Sequence, residues 1–338
     1  MGSTVITMSV IAMHAPDGFL QPSVAVVTAL LSAACISGAL RVAGRELGDR
    51  QVPLAGVAAA FIFAAQMFNF PVAAGTTGHL LGGALAAILL GPWVGALVVS
   101  VVVIVQALLF ADGGLTALGY NTLNMAIVTA FGGWAAFRAF RRVFPRTTSG
   151  VVSASAVAAG VSVVLSAAAF SIEWLFGASA PVAFDTVFGA MVGVHVLIGL
   201  GEAVLTGLVV GAVMAARPDL VAGASDLSRA ERRVKGRVGV RPFLVGALLA
   251  AVAFGAVVSQ FSAGSPDGLE RVAIDNGFAA AGSDHVLRSS IFADYATAGI
   301  GNESISLAVA GIAGVAVTLA VGLGIVSASR SVRRREAI

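Results

Sequence analysis

Apolar runs long enough to cross a lipid bilayer make up most of this chain. A membrane-spanning helix needs about 20 consecutive apolar residues, and 58% of the 338 residues are hydrophobic while only 11% are charged. Because a soluble domain carries about 25% charged residues, this chain lacks the polar side chains that would cover a water-facing surface. A soluble enzyme of any fold is therefore excluded, and the sequence predicts an all-α polytopic membrane protein.

The apolar runs between charged residues and Gly or Pro turns predict nine helices. They cover residues 23–43, 53–69, 79–90, 92–111, 119–137, 150–177, 187–215, 242–261 and 303–328. The third run is short for a full span and glycines crowd its start, so we interpret it as half of a broken or re-entrant element. Non-helical backbone at membrane depth is tolerated only where protein or a cavity surrounds it.

The basic residues predict the orientation of these helices. With the N-terminus outside, the inner connections and a cytoplasmic C-terminus hold 18 of the 20 basic residues, and only Arg271 and Arg288 fall outside. This positive-inside pattern predicts a multi-pass protein of the cell membrane and gives the basic residues a role other than nucleic-acid binding. Ten carboxylates fall on the outer side, where they are predicted to concentrate cations. The alternative is that these acids have no selected role there.

The polar connections divide the chain into parts. Residues 13–216 are predicted to form a seven-helix unit with tight loops, and residues 217–241 a basic cytoplasmic linker. Residues 242–338 are predicted to form a two-helix hairpin around a polar outer segment, 262–302. The single cysteine, Cys35, excludes a disulfide framework and a zinc site built on cysteines.

Two ionisable residues fall within one predicted span, seven positions apart. Intramembrane ionisable groups are costly and usually functional, and His195 and Glu202 lie on one helix face. The alternative is a structural role, in an interhelical hydrogen-bonded pair. An intramembrane metalloprotease using the two is disfavoured, because no H-E-x-x-H signature occurs and zinc needs its two histidines at i and i+4.

Two other histidines, His14 and His79, lie at helix breaks on the same outer face. Each one alone is more typical of an interfacial helix end than of a metal ligand. Together, in a chain with no thiolate available there, they form a candidate site of nitrogen ligands.

A chain that begins at Met13 offers two more nitrogens to that site. The amine of Met13 and the amide and imidazole nitrogens of His14 form two fused chelate rings, and His79 closes a roughly planar set. Planar nitrogen coordination suits Ni²⁺ or Cu²⁺, with low-spin Co²⁺ also plausible, whereas Mg²⁺ and Ca²⁺ prefer oxygen and Zn²⁺ a tetrahedron. Residues 1–12 are therefore interpreted as a leader, or as an over-extended start ahead of translation from Met13.

Several longer strings of residues carry a family resemblance. The stretches Met13–Leu20, Asn69–Trp93 and Phe110–Met125 resemble the substrate-capture subunit of cobalt and nickel energy-coupling-factor (ECF) transporters, the CbiM/NikM family. The stretch Gly193–Ala203 is similar to the last helix of that family. Residues 265–273 and 292–295 resemble the PDGLE domain, an auxiliary CbiN/NikN-like subunit that is fused here.

The resemblance implies a fold, a set of site residues and partners. The fold is a seven-helix substrate-binding (S) component that holds Co²⁺ or Ni²⁺ near its outer face as transported ligand, with no permanent cofactor. The implied metal ligands are Met13, His14 and His79, and the implied second-shell residues are Asn69, Asn121 and Asn124.

The implied partners are a transmembrane coupling subunit of the CbiQ/NikQ type and two ATPases of the CbiO/NikO type. The chain has no G-x-x-x-x-G-K-[ST] motif, so ATP hydrolysis is expected from those partners and the chain is predicted to be a transporter subunit, not an enzyme. An ATPase-independent secondary carrier that uses the same site is the alternative. The fused tail is expected either to fold over the capture site or to be purely architectural.

Overall fold

The computed structural model of the protein describes residues 14–48, 51–73, 75–228 and 238–336, and most of these are helical. The α-helices are α1 Pro22–Glu46, α2 Gln51–Gln66, α3 Gly83–Leu90, α4 Pro92–Leu109, α5 Leu118–Asn121, α6 Thr129–Phe140, α7 Thr148–Gly177, α8 Phe184–Ala216, α9 Val240–Ala256, α10 Gly268–Asp275 and α11 Glu303–Glu336. A π-helical stretch, Thr122–Val128, joins α5 to α6 without a break. A short antiparallel ribbon, β1 (Phe70–Pro71) and β2 (Thr77–Gly78), lies between α2 and α3.

Within the described residues, six helices are long and apolar enough to cross a bilayer. They are α1, α4, α7, α8, α9 with the turn that follows it, and α11. The predicted helical membrane architecture is confirmed in this form, and most predicted boundaries lie within a few residues of the observed ones.

The predicted span 79–90 is wrong at its N-terminal end. Helix α3 begins only at Gly83 and has eight residues, about 12 Å of helix against a bilayer core of about 30 Å. Gly82 and Gly91 bound it with φ values of 79° and 88°, a left-handed backbone region that favours glycine. The segment 76–82 ahead of α3 is non-helical and buried among the helices.

The helices define two ends of the bundle. At one end, here called the histidine end, the connections 14–21, 67–82 and 110–117 meet the tail segment 262–302 through backbone hydrogen bonds, and the connection 178–183 bonds to Phe19 in the first of them. The opposite end, here called the arginine end, includes the connection between α6 and α7 and the residues that follow α8.

Helices α2 and α3 form the centre of the bundle. Thirteen of the 16 residues of α2 and all of α3 are buried, as expected for helices that are apolar on every side. Helices α9 and α11 pack against α2 and against each other. The tail is therefore part of the same bundle as the helices before it.

The region predicted to be a linker, 217–241, is packed over the part that the structure describes. The Arg217 side chain is buried, and Leu220, Val221 and Ala224 join the main apolar core. These apolar side chains lie in a stretch that the sequence pattern, because of its arginines, indicates to be polar throughout. Residues 217–228 therefore close the arginine end of the bundle.

The close approach of α9 and α11 at Gly255 and Gly311 generates a prediction. A Cβ added at Gly311 would lie 2.1 Å from the Gly255 carbonyl oxygen, so Gly311→Val must push the helices apart. Overpacking of this kind costs about 1–3 kcal/mol, and we expect a lower unfolding temperature in detergent. Gly324→Val is the control on the same helix, because a Cβ there meets nothing within 4 Å. Equal unfolding temperatures for the two variants would contradict this packing.

Candidate metal centre

A small cavity lies at the histidine end of the bundle. Its volume is about 70 Å³, and its lining includes His14, His79, Asn121, Asn124, His195 and Asp267. A cavity needs about 10–15 Å³ of volume to hold even one water molecule, whereas organic ligands occupy pockets of roughly 300–1,000 Å³. The space suits an ion with a few small ligands and excludes an organic substrate.

The structure brings His14 and His79 together across this cavity. Their ring centroids are 5.9 Å apart, and both residues are buried. With metal–nitrogen bonds of about 2.1 Å, one ion can bridge two imidazoles whose centroids are up to roughly 6 Å apart. The two histidines that the sequence singles out can therefore bind the same ion.

A hydrogen bond of His79 indicates the tautomer of its ring. Its Nδ1 lies 3.0 Å from the Leu80 carbonyl oxygen, and a carbonyl can only accept, so Nδ1 carries the proton and Nε2 the lone pair. His195 is held in the same way, by a 2.7 Å bond from Nδ1 to the Met191 carbonyl. A ring N–H bonded to a backbone carbonyl is the usual support of a metal-binding histidine.

The His14 ring is buried with neither nitrogen hydrogen-bonded to a described residue. Burial lowers the pKa of His14, although the nearby Asp112 carboxylate opposes this, so the ring is neutral near pH 7 and has a lone pair to offer. Asp112 Oδ1 lies 3.7 Å from His14 Nδ1. Because buried polar atoms are almost always partnered, a ligand in the cavity accounts for this ring better than packing alone.

The main chain beside His14 is pinned by polar side chains. Asn121 accepts the Ala15 N–H at 3.2 Å and donates to the Ala15 carbonyl at 2.9 Å. Asp17 accepts from the hydroxyl of Thr116 and from the backbone N–H groups of Leu115 to Ala117, just ahead of α5. The segment that carries His14 is therefore held at a fixed position against α5.

Asn124 reaches the cavity from the π-helical stretch. Such stretches are frequent at functional sites, and this one carries the Asn124 amide, which donates to Glu173 Oε2 at 2.7 Å. Asn124 Oδ1 has no hydrogen-bond partner among the described residues. Glu173, which the charge pattern counts among the outer carboxylates, is buried here and orients Asn124.

Glu202 supports the segment that carries His79. Its two carboxylate oxygens accept the N–H groups of Leu81, at 2.7 Å, and Gly82, at 2.9 Å. These donors precede α3, where a helix start leaves N–H groups without partners and favours negative charge. His195 and Glu202 thus have separate partners and do not bond to each other.

One residue of the implied site, Asn69, lies elsewhere, and another is not described by the structure. Asn69 does not line the cavity; its N–H donates to Ser262 Oγ at 3.1 Å, and its carbonyl accepts from Ala263. It therefore holds the tail in place. Met13 lies outside the described residues.

The PDGLE motif of the tail, Pro266 to Glu270, lies directly beside the cavity. The Pro266 carbonyl accepts the N–H of Thr77, two residues before His79. Asp267 caps α10 by accepting the N–H of Glu270 at 2.7 Å, which is the N-cap geometry expected of this residue pattern. A Cβ at Gly268 would lie 2.5 Å from the Ile198 side chain, so glycine allows the close approach to α8.

A second tail contact meets the neighbour of His14. The Tyr295 hydroxyl donates to Asp112 Oδ2 at 2.6 Å, and the Tyr295 ring stacks on Phe110. Burial raises the pKa of Tyr295 well above its usual value, so the hydroxyl keeps its proton. Burial also raises the pKa of Asp267 to about 7.

These contacts change the interpretation of the outer carboxylates. Asp17, Asp112, Glu173 and Asp267 are all buried and hydrogen-bonded. These four therefore serve mainly to hold the site together, and the surface field expected from the sequence is weaker.

Side chains alone do not complete a metal site in the part of the chain that the structure describes. No group of three or more His, Cys, Asp or Glu residues there is placed to hold a metal ion. A site between His14 and His79 therefore needs other donors, such as main-chain nitrogens.

The support given by Glu202 is testable. Glu202→Gln replaces one accepting oxygen by an amide NH₂, so one buried N–H of Leu81 or Gly82 loses its partner, at a cost of about 1–3 kcal/mol. We expect a lower unfolding temperature for the metal-free protein. Glu303→Gln is the control, because Glu303 is exposed at the start of α11. An unchanged unfolding temperature for Glu202→Gln would show that the carboxylate does not hold this segment.

Known protein families and relatives match nearly the whole chain. Residues 14–220 match a family described as the cobalt uptake substrate-specific transmembrane region, and residues 241–331 match the PDGLE domain. A putative fused nickel transport protein, NikMN, of Archaeoglobus fulgidus is 34% identical over 94% of this chain and 100% of its own length. The fused nickel transport protein NikMN of Rhodobacter capsulatus is 31% identical over 96% of this chain and 99% of its own.

A solved structure matches the first part of the fold. The crystal structure of a transition metal transporter superposes with a TM-score of 0.53 and 32% sequence identity, covering 59% of this chain and 92% of that one.

Proposed function

Because this chain belongs to the family of cobalt uptake substrate-specific transmembrane proteins, with a PDGLE domain fused behind it, we propose that it captures Ni²⁺ or Co²⁺ for an ECF importer. The chain is a multi-pass membrane protein of cobalt or nickel transport. The observation that carries the proposal is the ion-sized cavity between His14 and His79, together with the unpartnered His14 ring.

The proposed ligands are four nitrogens. The Met13 amine, the His14 amide and His14 Nδ1 supply three, and His79 Nε2 supplies the fourth. This set requires a mature chain without residues 1–12. Because the main chain supplies two of the four nitrogens, two imidazoles are enough side-chain ligands for the proposed site.

Charge balance supports the same arrangement. A deprotonated amide nitrogen leaves a divalent ion with one net positive charge, which is expensive in a buried site unless it is paired. Asp112 lies 3.7 Å from His14 Nδ1 and supplies the opposite charge. Tyr295 holds that carboxylate in place.

The same ligand set favours particular metals. Planar nitrogen coordination suits Ni²⁺ and, in its low-spin form, Co²⁺, whereas Mg²⁺ and Ca²⁺ require oxygen and Zn²⁺ a tetrahedral site. Relatives that share the fused arrangement are named nickel transport proteins. We therefore propose that the protein transports nickel in preference to cobalt.

The proposed orientation places the histidine end outside and the arginine end in the cytoplasm, as the distribution of basic residues indicates. In this arrangement residues 13–216 are the seven-helix capture unit, in which α3 and the continuous helix from α5 to α6 count alongside α1, α2, α4, α7 and α8. The helices α9 and α11 form the tail hairpin. A coupling subunit and two ATPases supply the energy.

The support of the His79 segment suggests how the ion is released. Glu202 is on α8 and accepts hydrogen bonds from the backbone N–H groups of Leu81 and Gly82. A movement of α8 against α3 therefore pulls His79 away from His14 and opens the ligand set. Partner ATPases that reorient the unit through the coupling subunit can drive this movement.

Metal retention tests the capture site. We expect His14→Ala and His79→Ala each to lower nickel and cobalt retention by the purified protein by at least about 100-fold, because each removes a ligand directly and loss of mere second-shell support already costs 10–100-fold. His285→Ala is the control, since His285 lies in the tail segment away from the cavity. Unchanged retention of both metals in both ligand variants would overturn the proposal.

The tail contact gives a second test. Tyr295→Phe keeps the ring stacked on Phe110 but removes the hydrogen bond to Asp112, so we expect nickel affinity to fall about 10-fold. Asn302→Ala is the control in the tail, because the Asn302 side chain accepts the N–H of Ile305 at the start of α11 and does not line the cavity. Tyr295→Phe with wild-type affinity would show that the bond to Asp112 does not support the site, and wild-type nickel uptake after deletion of 242–338 would show that the tail is dispensable.

A further inference from the structure

A second and larger cavity lies at the arginine end of the bundle. Its volume is about 590 Å³, and its lining includes Arg138, Arg141, Arg142, Arg146, Trp134 and Asp226. Four guanidinium groups face one carboxylate there, so the cavity carries an excess of positive charge. The proposed metal site makes no use of it.

One of these arginines, Arg141, is buried in the cavity lining and held by hydrogen bonds. The Arg141 side chain is only 5% exposed; it donates to the Pro145 carbonyl at 2.8 Å and to Asp226 at 2.7 Å. Its Nε is buried with no hydrogen-bond partner among the described residues. A buried guanidinium N–H without a partner is costly. A hydrogen-bond acceptor bound in the cavity would therefore stabilise the Arg141 Nε–H.

The other three arginines are exposed. Arg138 is in the last turn of α6, and Arg142 and Arg146 are in the connection to α7. Guanidinium groups bind phosphate oxygens with paired hydrogen bonds and remain charged at any physiological pH. The cavity therefore combines one buried donor with three exposed cationic groups, which is the chemistry of a phosphate-binding site.

The surroundings of the cavity are those of a membrane surface. Trp134 is half-buried and its ring stacks on Phe137 at 5.6 Å, and tryptophan is enriched at the headgroup level of membranes. Val143, which follows Arg142, is 81% exposed. An aqueous anion gains nothing from these apolar groups, whereas a phospholipid places acyl chains beside them.

We propose that this cavity binds the phosphate headgroup of an anionic phospholipid. Basic pockets between membrane helices on the cytoplasmic side bind such headgroups, and the arginine end is the proposed cytoplasmic side. The inference rests on that placement in the membrane and not on the capture of a metal ion.

Lipid retention by the purified full-length protein tests this assignment. The protein is equilibrated in detergent with phosphatidylglycerol and phosphatidylcholine of identical acyl chains, and bound lipid is counted by native mass spectrometry. We expect the wild-type chain to prefer phosphatidylglycerol by about tenfold or more. The triple variant Arg138→Gln, Arg142→Gln and Arg146→Gln is expected to lose that preference.

A matched variant separates the cavity from surface charge in general. Arg41→Gln, Arg45→Gln and Arg241→Gln together remove the same charge from exposed positions outside the cavity lining, and we expect this variant to keep the wild-type preference. Arg141 is left intact because it holds the connection to α7. An unfolding temperature equal to that of the wild-type chain in both variants shows that the bundle is folded, whether or not the protein retains nickel.

Three results would overturn the assignment. The first is a wild-type chain with no preference for the anionic lipid, and the second is an equal loss in the cavity and control variants. The third is displacement of the lipid by glycerol 3-phosphate or inorganic phosphate at equal concentration, which would assign the cavity to a soluble phosphate.

Discussion

The backbone of residues 76–82 runs without helical hydrogen bonds through the interior of an apolar bundle, and the rest of the site depends on how its polar groups are satisfied. These residues are buried, and a buried N–H or C=O without a hydrogen-bond partner is costly. Glu202 accepts the N–H groups of Leu81 and Gly82, and Gln66 donates to the Leu81 carbonyl. The tail carbonyl of Pro266 accepts from Thr77. These bonds set the position from which His79 faces His14.

The same constraint links three parts of the chain that are far apart in sequence. Helix α8 contributes Glu202, the tail contributes Pro266 and Tyr295, and the segment after α4 contributes Asp112. In the proposed site, a displacement of any of them is expected to change the distance between the two imidazoles, so helix movement and tail contacts are both expected to affect metal binding.

Part of this arrangement is predictable from sequence. Apolar runs fix the helices, because a bilayer span depends on local composition alone, and the breaks beside His14 and His79 are visible as interruptions of those runs. The partners of Glu202 are not predictable in this way, since they lie about 120 positions earlier in the chain. Asn69 was expected near the ligands but does not line the cavity, and its backbone N–H and carbonyl instead bond to Ser262 and Ala263 of the tail.

Other features escaped the sequence patterns for related reasons. The charge of Asp112 and Asp267 suggests exposure, whereas both are buried by contacts that form only in the folded bundle. Residues 217–228 look like a linker because arginines surround them, yet their apolar side chains pack inward. The π-helical turn at Asn124 has no local signature in the sequence, and the structure alone shows its contact with Glu173.

The most direct test of the account is X-ray absorption spectroscopy at the nickel edge, on nickel-loaded protein whose first residue is verified by intact mass. For a chain that begins at Met13, the account predicts the pre-edge signature of a planar ion with four nitrogen neighbours. That signature should disappear when one extra residue precedes Met13 and removes its free amine. The same planar spectrum from both chains, or six oxygen and nitrogen neighbours in the first, would contradict it.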